Sequence, residues 1–155
     1  MKGRKTLAGL GILILLMVAL STLALARPKD ALPATVHVIE HATTDTVINT
    51  DGTGDTTGDL LTFHNPIFNA TNQKRVGHDQ GDCIRISPAQ GSWECRWTTF
   101  LPGGHLTVEG PFYDTKSSVL AVTGGTGKYH NARGTMALHS RLGGKQFDFI
   151  FHLTG

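Results

Sequence analysis

The run Gly124-Gly125-Thr126-Gly127-Lys128 is the first candidate for chemistry, because glycine turns ending in lysine can cradle phosphates. A phosphate loop needs a glycine five positions before Gly127 and a Ser or Thr after the lysine. Val122 and Tyr129 stand there instead, and no helical periodicity follows. Nucleotide binding is therefore excluded. Eight histidines invite a metal reading. His37 and His41 share one face of a strand, but four residues span about 13 Å at the usual strand rise, too far to share one ion. No His-x-His or Cys-x-x-Cys pair exists, so no metal site is expected. Gly-x-Ser-x-Gly is absent, and no Ser-His-Asp or Cys-His assembly can be argued. Asn69-Ala70-Thr71 is a glycosylation sequon, meaningful only in a eukaryotic secretory pathway. The remaining candidates are side chains on the inner faces of strands.

Met1 to Lys5 is a basic start, Leu7 to Ala26 is apolar, and Ala24-Leu25-Ala26 is a small-residue cleavage site. Together they read as a secretory signal peptide, residues 1–26, with an uncleaved anchor as the alternative. Removing 26 of the 155 residues leaves 129, enough for one domain with one core, residues 27–155. It also removes Lys2, Arg4 and Lys5, so the formal charge falls from +2 to −1. A mature chain of that charge offers nothing to nucleic acid or to an acidic membrane.

The mature part is rich in Gly, Thr and Asn, and its apolar residues recur at spacing two. That pattern predicts an all-β fold. Eight strands are expected, near 35–41, 58–65, 75–86, 93–101, 105–112, 117–123, 131–141 and 146–153. Most connections are hairpin-short; residues 43–57 form the long one, read as exposed and mobile. Eight up-and-down strands close naturally into an antiparallel, calycin-like barrel whose interior holds side chains or one small ligand. A two-sheet sandwich is the other architecture.

The hairpin around Ala89 sets a register in which paired positions sum to 178. Cys83 then faces Cys95, and Arg85 faces Trp93. Directly opposed residues point to the same face at a separation that admits a disulfide. Export makes the bridge plausible; two buried thiols are the alternative. Trp93, Cys95 and Trp97 share one face, Phe147, Phe149 and Phe151 another, and Leu61, Phe63 and Asn65 lie together. These rings are either plain core or the lining of a cavity for a flat, apolar ligand. Ile84 and Ile86 point outward, which hints at a subunit contact.

Four motifs then occur in order: Gly58-Asp59-Leu60-Leu61-Thr62-Phe63-His64-Asn65; Lys74-Arg75-Val76-Gly77 leading to Gln80-Gly81-Asp82-Cys83; Gly104 to Phe112; and Leu120 to Gly127. From Gly58 to the end the chain resembles the allene oxide cyclase barrel, and more distantly the dirigent proteins. That resemblance implies an eight-stranded barrel, often trimeric, with an apolar cavity and no cofactor. It implies a substrate that is fatty-acid-derived, or phenolic and polyketide-like. In the cyclases an Asn that helps hold a water matches Asn65. A cavity Cys matches Cys83, lining aromatics match Phe63 and Phe112, and Trp93 falls near another. Aligning Glu40 with the second Glu of the family's first strand puts His37 where the active glutamate stands and Ile39 where a water-holding Asn stands. On that alignment the cyclase chemistry itself is not carried over, and His37 or Glu40 becomes the polar trigger. Arg133, in Asn-Ala-Arg-Gly, resembles a functional arginine of the dirigent pattern.

Three functions follow as expectations. The first is a secreted isomerase or cyclase, with His37, Glu40, Asn65 and Arg133 as polar residues and Leu61, Phe63, Cys83, Trp93, Trp97 and Phe112 shaping the cavity. The second is a non-catalytic carrier of an apolar metabolite. The third is a structural barrel, dimeric or trimeric, with a filled interior.

Overall fold

A computed structural model describes residues 32–154 except residue 53; the expected signal peptide lies outside them. The alternating segments form ten strands: β1 (Thr35–His41), β2 (Thr46–Ile48), β3 (Leu60–Phe63), β4 (Pro66–Asn69), β5 (Arg75–Ser87), β6 (Ser92–Leu101), β7 (Gly104–Tyr113), β8 (Ser118–Gly125), β9 (Arg133–Arg141) and β10 (Gln146–Thr154). All pairings are antiparallel. The sheet runs β2-β3-β5-β4-β1-β10-β9-β8-β7-β6, and a further β5–β6 pairing closes it.

Ten segments make eight staves. β4 pairs with the first part of β5, and β3 with a later part of the same edge. β1 pairs with β4 while β2 pairs with β3. The β1/β2 and β3/β4 pairs are thus two interrupted strands lying side by side. The result is the expected closed eight-stranded barrel, and among the described residues there is no α-helix. The interruptions are new: the second stave breaks after Phe63, and part of the long connection, residues 46–48, is strand. Across the gap in the second stave Asn65 and Asp79 still exchange backbone hydrogen bonds, in the register of the pairs on either side, while the Asn65 side chain gathers residues 43–45 of the first stave, as described below.

The pleat sends alternate residues inward. Trp93, Cys95 and Trp97 on β6 and Phe147, Phe149 and Phe151 on β10 are all buried, as are Leu120 and Val122 on β8 and Met136 and Leu138 on β9. Cys83 pairs with Cys95 and Arg85 with Trp93, in the expected register. The disulfide is formed, with its Cα atoms 4.0 Å apart. Ile84 and Ile86 are outward and about half exposed, 45% and 52%. The glycine turn has a steric purpose. Gly127 takes φ 57°, its neighbour Lys128 donates its amide to the Gly103 carbonyl at 2.9 Å, and a Cβ on Gly127 would land on that same carbonyl.

Candidate functional site

Inward residues of β1, β3, β5, β6, β7 and β10 line a cavity inside the barrel: Glu40, Leu61, Phe63, the Cys83–Cys95 bridge, Trp97, Phe112, Phe147 and Phe149, with Asp45 from the turn after β1. Phe63 meets Trp97 edge-on at 5.9 Å, Trp97 leans on Phe149 at 5.4 Å, and Phe112 meets Phe147 edge-on at 5.9 Å. The open room is about 40 Å³. Small-molecule sites usually offer about 300–1,000 Å³, so a ligand of that class must displace side chains. Leu61, Phe63 and Phe112 are the half-buried members of the lining. A larger recess of about 580 Å³ lies across β3 and β5 to β8, but much of its lining is outward polar residues such as Thr62, Asp82, Arg96 and Thr107.

The polar floor is built on Asn65. Its Oδ1 accepts the amides of Thr43 and Thr44, both at 2.9 Å, and the Thr44 hydroxyl at 3.1 Å. Its Nδ2 donates to Glu40 Oε1 at 2.8 Å and to Asp45 Oδ1 at 2.6 Å. Its backbone amide reaches Asp79 Oδ1 at 3.1 Å. Asn65 and Asp79 are fully buried, and Glu40 is 5% exposed. Asn65 thus holds the Glu40 and Asp79 carboxyls as neighbours, one on its side chain and one on its backbone amide.

No cation joins this cluster among its described partners, so burial decides its protonation. Burial, then repulsion from Asp79, raises Glu40 well above the ordinary carboxyl range. Burial pushes Asp79 up to about 7. Asp79 Oδ2 is buried with no hydrogen-bond partner. The Thr99 hydroxyl and the Trp97 indole N–H, on the adjacent strand β6, are also buried without a partner. The cluster could suggest a cation, but the Asn65 amide already bridges Glu40 and Asp45. Among the described residues no group of three ligating side chains has metal-binding geometry.

The rim carries a second cluster. The Arg85 guanidinium lies 3.9 Å over the Trp93 ring. It donates through Nε and Nη2 to Asp55, both at 2.8 Å, and through Nη1 to Asp114 at 2.6 Å. Trp93 Nε1 donates to the same Asp114 at 2.8 Å. Asp59 holds the long connection itself. It accepts the amides of Thr56 at 2.8 Å and Thr50 at 2.9 Å, which keep its carboxyl below the ordinary range. That connection is exposed, as expected, but it is tied down at both ends.

Of the anticipated residues, the barrel brings Glu40, Asn65, Leu61, Phe63, Cys83, Trp97 and Phe112 together. Trp93 is interior and pairs with Phe112, one step away beneath Arg85. His37 is not at the cavity. Three residues from Glu40, it faces the outside, where Nε2 meets Asp148 Oδ1 at 2.8 Å. Arg133 is exposed and donates to the Ala132 carbonyl at 2.7 Å. Asp79 and Asp45 were not anticipated. Asp79 carried a signal: it lies four residues from Cys83, hence on the same inner face.

The allene oxide cyclase family profile matches residues 36–155. A solved pyocyanin demethylase shares the fold with a TM-score of 0.67 and 22% identity, over 77% of this chain and 99% of that one. A pterocarpan synthase dirigent protein gives 0.63 and 20%, over 78% and 85%. The Diels-Alderase AbmU from Streptomyces koyangensis gives 0.60 and 14%, over 97% and 84%.

Proposed function

Because the chain belongs to the allene oxide cyclase family, we propose that its barrel takes up an apolar small molecule and isomerises it by intramolecular ring closure. The observation that carries this reading is a buried Glu40, held by Asn65 at the floor of an aromatic-walled cavity, whose carboxyl burial pushes well above the ordinary range. A neutral carboxyl can donate its proton to an epoxide, carbonyl or quinone-methide oxygen as negative charge develops there. The rings of Phe63, Trp97, Phe112 and Phe149 hold the reacting ends together and keep water out. The proton returns to Glu40 on product formation, so atoms balance without a co-reactant. Fatty-acid-derived and phenolic or polyketide-like substrates fit the lining. Folds named for a pterocarpan synthase and a Diels-Alderase support ring-forming chemistry in such a barrel.

The cavity of about 40 Å³ favours a second reading, a carrier that opens only for its ligand or a filled structural barrel. Quenching of Trp97 fluorescence by a panel of epoxy-fatty acids and phenolics separates these, because a filled barrel quenches with none. In an acid-catalysed cyclase, Glu40→Gln keeps quenching and loses about 10²–10⁴-fold in turnover. Unchanged turnover in that variant overturns the catalytic reading. We place the domain, residues 27–155, outside the cytoplasm after removal of residues 1–26. The disulfide supports an oxidising compartment. Exposed Ile84 and Ile86 support a dimer or trimer, which native mass spectrometry would reveal.

A further inference from the structure

We propose that Asp79 is a proton switch behind Glu40: protonated, it donates to Glu40 and leaves the Glu40 O–H free to point into the cavity; ionised, it takes up that O–H itself and withdraws the acid. The role of Asp79 as a positioning residue rests on the reading of Glu40 as the acid, but its proton sharing does not.

The geometry carries the argument. Glu40 lines the cavity and Asp79 is not among the lining residues, so the second carboxyl stands behind the first. Both are buried, and both are bonded to the one Asn65, Glu40 at 2.8 Å and Asp79 at 3.1 Å. One oxygen of Asp79 is occupied by the Asn65 amide at 3.1 Å, and the other has no N–H donor. Glu40 Oε1 is likewise occupied by Asn65 Nδ2. Two carboxyls whose other oxygens are already satisfied by one asparagine are left to share protons with each other.

The groups around Asp79 are few. Glu40 comes from β1 and Asp45 from the turn after it, and both are acidic. The break between β3 and β4 brings Asn65; β6 brings Thr99, directly opposed, and Trp97. The neighbours His78 and Gln80 lie on the opposite face of β5 by the pleat. Among the described residues no positive charge is bonded to the pair, so doubly ionised carboxyls are strongly disfavoured. With two protons present, Asp79 gives its O–H to Glu40 and Glu40 gives its own to the ligand oxygen. When one proton leaves to water, the single remaining O–H lies between the two carboxyls. Asp79, raised to about 7, places that change near neutral pH.

The test needs no substrate. Carboxyl carbons of the full-length protein, labelled at Asp and Glu, are titrated by NMR across neutral pH. The expected result is two coupled inflections, the first near pH 7, with Glu40 and Asp79 shifting together. In Asp79→Asn the coupled inflection vanishes and Glu40 titrates at lower pH, since the neighbouring charge is gone. Asp45→Asn keeps the coupled inflections. Independent titrations in the wild-type protein, or a Glu40 curve identical in Asp79→Asn, overturn the proposal; the wild-type curve decides even where the variant does not fold. A coupled titration with no turnover in any ligand assay would uphold the shared proton and reject the enzymatic reading separately. Where turnover is found, the wild-type rate falls as pH rises through the first inflection, and Asp79→Asn displaces or removes that limb. A limb unchanged in Asp79→Asn removes the switch from the mechanism.

Discussion

Asn65 Nδ2 lies 2.8 Å from Glu40 Oε1, and the same side chain takes the two backbone amides that lie between β1 and β2. In a continuous ladder the adjacent amides of Thr43 and Thr44 would point to opposite neighbouring strands; here both turn to Asn65 Oδ1. The break frees inward space and delivers Asp45 to the cavity wall. Construction of the floor and interruption of the first stave meet at Asn65.

Asn65→Ala removes an acceptor from two amides and a donor from two carboxyls at a buried point. We expect a loss of about 2–4 kcal/mol in urea unfolding, since each buried group left unpaired costs about 1–3 kcal/mol. Asn65→Asp keeps the shape but adds another carboxyl to Glu40, Asp45 and Asp79. It should be severely destabilised at pH 8 and recover towards pH about 4, where carboxyls protonate. Equal loss at both pH values would show that shape, rather than charge, governs the floor.

Stability should fall as pH rises from about 4 to about 7, the reverse of a salt-bridged carboxylate. In the unfolded chain Asp and Glu ionise near pH about 4. In the folded chain burial holds Glu40 well above that value and Asp79 up to about 7. The native state therefore binds more protons across this window, and their contribution is fully present below it and lost above. Asp59 runs the other way, because the Thr56 and Thr50 amides hold it low; its contribution disappears as pH drops below about 4. Urea midpoints at pH 5 and 8 measure the slope, and Asp79→Asn should flatten it. A slope unchanged in that variant would assign the effect elsewhere.

Local rules reached far into this fold and stopped at its breaks. One hairpin centre put Cys83 opposite Cys95 and Arg85 opposite Trp93, because pleat and register are local properties. Glycine turns and period-two runs likewise located eight staves. The gathering of Thr43, Thr44, Asp45 and Glu40 on the Asn65 side chain links residues 20 to 25 positions apart and has no local signature. Asp79 was hidden by its neighbours: His78-Asp79-Gln80 reads as a solvated stretch, although counting back from Cys83 turns Asp79 inward. The same counting places His37 on the face opposite Glu40, where Asp148 meets it. Arg133 falls three residues from buried Met136, hence on the outer face.

The disulfide ties β5 to β6 within the cavity wall across a separation of only 12 residues. Closing a loop of that size contributes about 2–3 kcal/mol by restricting the unfolded chain. Cys83→Ala/Cys95→Ala should lower the urea midpoint by that amount and abolish its sensitivity to reductant. Because both sulfurs line the cavity, the double variant should also alter ligand quenching of Trp97. A stability change without any effect on binding would confine the bridge to a structural role.

Arg85 is the one charge on the inner face of β5 that is fully matched, and it joins three elements at once. Its fork takes Asp55 with two nitrogens and Asp114 with the third, while its plane covers Trp93. Asp114 in turn receives the Trp93 indole. Lysine can carry the charge but can satisfy only one carboxylate well and has no flat face to stack. Arg85→Lys should therefore cost about 1–3 kcal/mol, the range for a charged hydrogen bond. The loss should appear first as faster amide exchange around Asp55. Thr50 and Thr56 should stay protected, because their amides are held by Asp59 rather than by Arg85. A double-mutant cycle with Asp55→Asn tests the coupling: it should be large from Arg85 and small from the lysine variant. Equal coupling in both backgrounds would mean that charge alone, and not the fork, holds the long connection to the rim.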